Sequence, residues 1–307
     1  ALSKRHWKNK GVTHMDGIHV YDMVIVGGGP GGYTAALYAA RAGLDTLVLE
    51  KLSAGGQMAL THQIDNYPGF EDGVDGFSLG ENMQRQAERF GAKSEYAEVT
   101  RLDLAASPKA LETSEGVFYG KTVVLAPGAV PRELDVAQEA ELTGRGVAYC
   151  AACDGMFYKG LTVAVVGGGN SAAADALLLS RIAKKVILVH RRDTLRATKI
   201  YHQPLLDKEN VEFRWNSTVT ELLHGGKLTG VRLKNVLTGE ESTLDCDGVF
   251  ISIGRKPVTG LVKGQLELDP GGYIIADETT RTSIPGVYAV GDVRAKPLRQ
   301  VVTAVAD

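Results

Sequence analysis

Cys150 and Cys153 stand three positions apart in "YCAACDGMF", with Asp154 directly behind the second. Two thiols at that spacing suit a metal clip, a structural staple or a reactive dithiol. A structural zinc site takes four Cys or His ligands, and the three cysteines, Cys150, Cys153 and Cys246, leave no second pair at zinc-ribbon spacing. A staple across so short a loop removes little entropy from the unfolded chain and would stabilise poorly. If the residues after Tyr149 form a helical turn, the two sulfurs share a face within bonding reach. A helix N-terminus also lowers a thiol pKa, and Asp154 is then a candidate proton donor or acceptor beside either sulfur. An incidental pair of buried thiols is the plain alternative. Cys246, in "TLDCDGVFISIG", heads an apolar run and reads as an inert buried thiol.

The elements flanking the pair supply the context. "YDMVIVGGGPGGYTAALYAARAGLDTLVLE" reads as strand, glycine turn, small-residue helix and second strand, a βαβ unit. Gly27, Gly29 and Gly32 form G-x-G-x-x-G between strand and helix, and Glu50 ends the second strand, where a carboxylate accepts hydrogen bonds from a ribose diol. The glycines let backbone approach a pyrophosphate, and the helix N-terminus offers free N–H groups. The plan recurs at "LTVAVVGGGNSAAADALLLSRIAKKVILVHRRDTLRA", with Gly167, Gly169 and Ala172. Glu50 lies 18 residues after Gly32, and His190 lies 18 after Ala172, so His190 and Arg191 take the place of the acid. Arg191, Arg192 and Arg196 there suit a 2′-phosphate, which predicts NADPH in the second unit; a solvated basic turn is the bland alternative. Two nucleotides in one chain suggest a relay. FAD is the economical choice for the first unit, since a flavin takes hydride from NADPH and hands electrons to sulfur, with NAD as its alternative. A late strand, "TSIPGVYAVGDV", ends in Gly291 and Asp292, an acid that can reach a ribityl chain. Beside two nucleotide sites the dithiol reading gains over incidental thiols.

At 307 residues the chain exceeds one comfortable core, so two domains are expected. With 44% hydrophobic and 23% charged residues, composition is that of a globular protein. A net charge of −2 gives no electrostatic reason for a nucleic acid or an anionic membrane as partner. No run approaches the roughly 18 apolar residues of a membrane span, and the first 20 residues lack a secretory apolar centre, so a cytoplasmic location is expected. Residues 1 to 14 carry Lys4, Arg5, Lys8 and Lys10 without apolar periodicity and read as a tail.

From about Tyr21 onward, "GGGPGGYTAALYAAR", "GGQM" at Gly55 to Met58, "NYPGF" at Asn66 to Phe70, "CAACDG", "GGGNSA", "HRRDTLRA", "IPGVYAVGDV" and "RQVVTA" follow in order. This set resembles the low-molecular-weight thioredoxin reductases, flavoproteins of the pyridine nucleotide-disulfide oxidoreductase class. The resemblance implies a homodimer that uses FAD and NADPH to reduce the disulfide of thioredoxin. The fold it implies is α/β: two Rossmann-like three-layer domains, the NADPH domain inserted into a discontinuous FAD domain. On this chain the FAD domain would take residues 16–130 and 259–307, the NADPH domain residues 131–258, and residues 1–15 a tail. Hinges are expected at "GAVPR" and "RKPVTG", about which the domains rotate.

By resemblance Cys153 lies next to the flavin, Cys150 attacks thioredoxin, and Asp154 is the acid/base. The expected FAD residues are Gly27, Gly29, Pro30, Gly32, Glu50, Lys51, Gln57, Asn66, Gly128, Asp292, Arg299, Gln300 and Val301. Those expected at NADPH are Gly167, Gly169, Asn170, Ser171, His190, Arg191, Arg192 and Arg196. A flavin reductase serving another dithiol partner is the nearest alternative activity. An oxidase forming disulfides with oxygen is another, against which the basic "HRRD" argues. The chain departs from the family at Pro127, where threonine or serine is usual, and at "ELDVAQEAE", which replaces a glycine-proline turn. Asp307 falls early in the family's final helix, which is therefore expected to be incomplete.

Overall fold

The computed structural model describes residues 18–61 and 63–307, so the expectation of a basic N-terminal tail lies outside the described residues. One seven-stranded sheet contains β1 (Val20–Val26), β2 (Thr46–Glu50), β3 (Lys93–Tyr96), β4 (Val99–Asp103), β5 (Lys109–Thr113), β6 (Gly116–Leu125) and, from late in the chain, β17 (Val287–Ala289). The order is β3-β2-β1-β6-β5-β4, with β17 also on β6. Ten residues long, β6 serves two pairings. Its first half lies antiparallel to β5, and its second half lies parallel to β1 and β17.

Alternation along "MVIV" and "TLVLE" splits the side chains between two cores. Val24, Val26, Leu47, Leu49 and Leu125 pack on one face with Val287 and Ala289. Ile25, Val48 and Val124 pack on the other against Tyr33, Ala36 and Ala40 of helix α1 (Pro30–Arg41). Burying each such Val, Ile or Leu contributes roughly 1.5–3 kcal/mol before the cost of ordering. Proline begins α1, and Gly43, at φ +80°, ends it. There Gly43 N–H donates to Ala40 O and Leu44 N–H to Ala39 O, which satisfies the terminal carbonyls. Helix α2 (Gly76–Arg89) is capped by Asp75, which accepts from Ser78 N at 2.8 Å.

The second sheet is wholly parallel, in the order β11-β10-β9-β15-β8. Its strands are β8 (Val147–Ala148), β9 (Thr162–Val166), β10 (Lys185–Val189), β11 (Val211–Arg214) and β15 (Gly248–Ile251). Near-continuous apolar runs such as "TVAVV" and "KVILV" fit strands covered on both faces. One face packs against α5 (Asn170–Leu179) and α6 (His202–Leu206). The other packs against an antiparallel sheet of β12 (Ser217–His224), β13 (Leu228–Asn235) and β14 (Glu241–Asp245), whose Leu222, Val231 and Leu244 join Val166 and Val189. The chain crosses between the two sheets twice. The crossings pair with each other as β7 (Ala129–Pro131) and β16 (Arg255–Pro257), so one domain is inserted into the other. Among the described residues the remaining α-helices are α3 (Glu139–Leu142), α4 (Ala151–Asp154) and α7 (Val301–Ala306). Among the described residues no helix is long and apolar enough to cross a membrane.

Candidate active site

Both glycine turns form where a parallel strand feeds a helix. Gly27 has φ +102°, and a Cβ there would lie 2.4 Å from Ala126 O, so only glycine fits between strand ends. A Cβ on Gly32 would lie 2.0 Å from Gly27 O, which explains the third glycine as a close approach of helix to turn. At Gly29, the N-cap of α1, a Cβ would meet nothing within 4 Å. The turn therefore has an open side at the N-terminus of α1, the kind of place where backbone N–H groups bind phosphate. Glu50 is fixed beside it: Gly28 N donates to Oε2 at 2.6 Å, and Lys51 N and Leu52 N donate to Oε1 at 2.8 and 3.2 Å. Pro127 packs against this turn, its Cα 3.1 Å from the position of a Cβ on Gly27. The Lys51 side chain pairs with Glu98 at 2.7 Å on the surface, and Gln57 is exposed on the 3-10 turn Gly56–Leu60.

The second turn repeats this geometry with the charge reversed. Gly169, the N-cap of α5, is open in the same way. His190 occupies the Glu50 position, and its ring closes over Gly168, where a Cβ would lie 2.2 Å from Cε1. It is buried, with Nε2 lacking a partner, and its pKa is lowered by burial and then by the charges of Arg191, Arg192 and Arg196. Those three arginines are exposed. The segment carrying Arg196 folds back onto the turn: Arg196 N and Ala197 N donate to Gly168 O at 2.7 and 3.0 Å, and Thr198 N donates to Asn170 Oδ1 at 2.8 Å. Ser171 is exposed beside them. The spacing argument thus gathers three exposed cations at one turn, with the histidine as its buried floor.

Cys150 and Cys153 are joined in a disulfide. Cys150 is the N-cap of α4 and Cys153 its third residue, so the pair straddles the start of the helix. Cys153 N donates toward Cys150 Sγ at 3.2 Å, and Asp154 N donates to Cys150 O at 3.0 Å. Asp154 is partly buried, and that burial pushes its carboxyl from the ordinary 3.8 up to about 6. Cys246 is buried, and burial pushes its thiol up to about 12, which leaves it unreactive.

Asn66 joins three distant segments. Its Nδ2 donates to Ala152 O, between the two cysteines, at 3.3 Å and to Gln300 Oε1 at 3.0 Å. It also lines an open hollow of about 650 Å³ formed by Asp65 to Glu71. Gln300 is the N-cap of α7, reciprocally bonded with Thr303, and Val301 opens that helix. Arg299 stacks over Tyr273 at 3.9 Å and donates to Asp292 O at 3.2 Å. Burial raises the pKa of Asp292, and Arg255 Nη1 lies 3.9 Å from its Oδ2. Asp307 accepts from Gly291 N, Arg294 and Lys296 at 2.7, 2.9 and 2.7 Å, which ties α7 to the strand end. Gly128, at φ +74°, accepts from Val258 N where the two crossings meet. The Asn66–Ala152 contact and the approach of Arg255 to Asp292 had no sequence signal, because each depends on the two domains meeting. Among the described residues no cluster of three His, Cys, Asp or Glu is placed to hold a metal.

A sequence profile of the pyridine nucleotide-disulphide oxidoreductase family matches residues 21–307. The chain belongs to this family. Curated relatives named thioredoxin reductase include one from Treponema pallidum, 45% identical over 94% of this chain and 93% of the relative. Another, from Streptomyces coelicolor, is 46% identical over 93% and 89%. The crystal structure of thioredoxin reductase from Streptococcus pyogenes superposes with a TM-score of 0.86 at 44% identity, covering 94% of each chain. That of Lactococcus lactis thioredoxin reductase in its FR conformation gives 0.66 at 42% identity, covering 94% and 95%. The two-domain Rossmann-like fold is thus shared with these enzymes.

Proposed function

We propose that the chain is an NADPH-dependent thioredoxin-disulfide reductase whose electrons pass through FAD to the Cys150–Cys153 disulfide and on to oxidised thioredoxin. The observation that carries this reading is the disulfide itself, formed at a helix start and held by Asn66 against the first domain. FAD, when bound, would supply two-electron chemistry between NADPH and sulfur. Gly27, Gly29, Pro30, Gly32 and Glu50 would hold its adenosine and pyrophosphate. Asn66, Asp292, Arg299 and Gln300 would contact its flavin end. Gly167, Gly169, Asn170 and Ser171 would hold NADPH, with Arg191, Arg192 and Arg196 for its 2′-phosphate.

Once the pair is a dithiol, the Cys150 thiolate attacks the partner disulfide, giving a mixed disulfide and one partner thiolate. Asp154, whose proton affinity burial raises, relays a proton to that leaving sulfur. The Cys153 thiolate then attacks Cys150 Sγ, which expels the second partner sulfur and restores the Cys150–Cys153 bond. For Cys150 to reach a protein partner, the Asn66–Ala152 contact must open. The lower superposition on the Lactococcus lactis structure than on the Streptococcus pyogenes one, at nearly equal identity, supports two domain arrangements turning about β7 and β16. We place the domain limits there, residues 16–130 with 259–307 and residues 131–258, and propose a cytoplasmic homodimer. Replacing either Cys150 or Cys153 with serine is expected to abolish thioredoxin reduction while NADPH still bleaches the flavin; persistent thioredoxin turnover in both variants overturns the reading.

A further inference from the structure

Just upstream of the disulfide lies a buried carboxylate that the reaction above does not use. Glu139, the first residue of α3, is only 5% exposed. Both its oxygens accept from Leu134 N at 2.9 Å, and Oε1 also accepts the Tyr149 hydroxyl at 2.8 Å. Tyr149 directly precedes Cys150. It bridges the end of β8 and the N-cap of α4, and its ring packs with Leu134 and Val136 on the core beneath the second sheet. Strand β8 is only two residues long, held by β15 at Val147 and Ala148, and contributes few restraints of its own. Burial, followed by the hydrogen bond to Glu139, pushes the phenol well above its ordinary range, so the hydroxyl remains a donor at working pH. The carboxylate is held by two donors, Leu134 N and the Tyr149 hydroxyl, and the second leads to the sulfur-bearing turn.

The geometry points to Glu139 and Tyr149 as positioning residues for the dithiol: their hydrogen bond fixes the backbone entering Cys150 and so raises the effective concentration of its sulfur at Cys153. This rests on the redox role proposed above for the pair. The equilibrium that reads it is reduction of the disulfide by two glutathione molecules, giving two cysteine thiols and one glutathione disulfide. A side-chain hydrogen bond contributes on the order of a fivefold factor to such an equilibrium.

The test titrates purified holoenzyme against glutathione redox buffers, trapping thiols with an alkylating reagent and counting them by mass. Tyr149→Phe keeps the ring and its packing, and is expected to favour the dithiol by roughly fivefold. Glu139→Gln keeps an acceptor oxygen for the hydroxyl and is expected to stay within about twofold of the unaltered protein. A Tyr149→Phe equilibrium equal to that of the unaltered protein overturns the inference, as does a Glu139→Gln shift as large as that of Tyr149→Phe. Melting temperatures measured alongside separate loosened cysteines from a loosened domain: a Tyr149→Phe shift that vanishes when compared at equal stability also overturns it. Failure of the functional reading would appear elsewhere, as an unaltered protein unable to reduce thioredoxin.

Discussion

Asp154→Asn should make the protein more stable and less active, with the stability gain confined to one pH range. Burial raises the folded-state pKa of Asp154 from 3.8 to about 6, so the folded chain holds its proton more tightly than the unfolded chain does. The stability linked to that proton is fully present below the unfolded value and is lost as pH rises through about 6. At ~1.4 kcal/mol for each tenfold in proton affinity, the ionised carboxylate costs the fold roughly 3 kcal/mol above neutrality, an upper value because the side chain is partly exposed. An amide does not ionise. Asp154→Asn should therefore gain up to ~3 kcal/mol at pH 8 and almost nothing near pH 4. Thermal melts of both proteins across this range check it, the difference rising between 3.8 and about 6 and levelling off above. Turnover with thioredoxin should fall by about 10²–10⁴-fold, the typical worth of a positioned acid. A stability difference that is constant with pH, or a variant at full turnover, refutes the argument that burial prepares Asp154 as the proton donor.

Arg191→Ala with Arg192→Ala removes two exposed guanidinium groups from the second turn and should raise the NADPH KM roughly 10–100-fold while changing that for NADH by less than about twofold; equal losses for both cofactors in steady-state assays refute the 2′-phosphate assignment. Gln138 sits at φ +65°, and its side chain meets His224 Nε2 at 2.8 Å. Relief of the left-handed backbone should make Gln138→Gly stabilising by ~0.5 kcal/mol, and Gln138→Val destabilising by ~1–2 kcal/mol, in urea unfolding; shifts of the same sign in both would contradict the strain.

The expected helical turn after Tyr149 exists, but with a changed register: Cys150 caps α4 and does not lie within it, because its extended backbone at φ −145° continues from β8. The "ELDVAQEAE" segment lacks glycine and proline and still turns, by placing Asp135 and Gln138 at positive φ and pinning the loop with Glu139. Side chain and backbone hydrogen bonds there do the work of turn-forming residues, which no local propensity reveals. His190 belongs to the basic register in sequence, yet its ring is buried under the turn, and the charged surface is left to the arginines that follow.

By itself the sequence determined the two βαβ units, their glycine turns, the reversed charge at residue 190 and the proximity of two thiols. All of these are local: strand alternation, helix capping and an i, i+3 spacing act within about thirty residues. Only the tertiary structure decided what meets across the chain. Asn66 reaches Ala152 and Gln300, β17 joins β6, and Arg255 approaches Asp292 because the chain crosses between sheets at β7 and returns at β16. Such contacts are selected by the packing of whole layers, whose energy is spread over many apolar side chains and carries no signature at the residues brought together. The rise in the Asp154 pKa has the same origin, since the burial behind it exists only after the second domain has formed around α4.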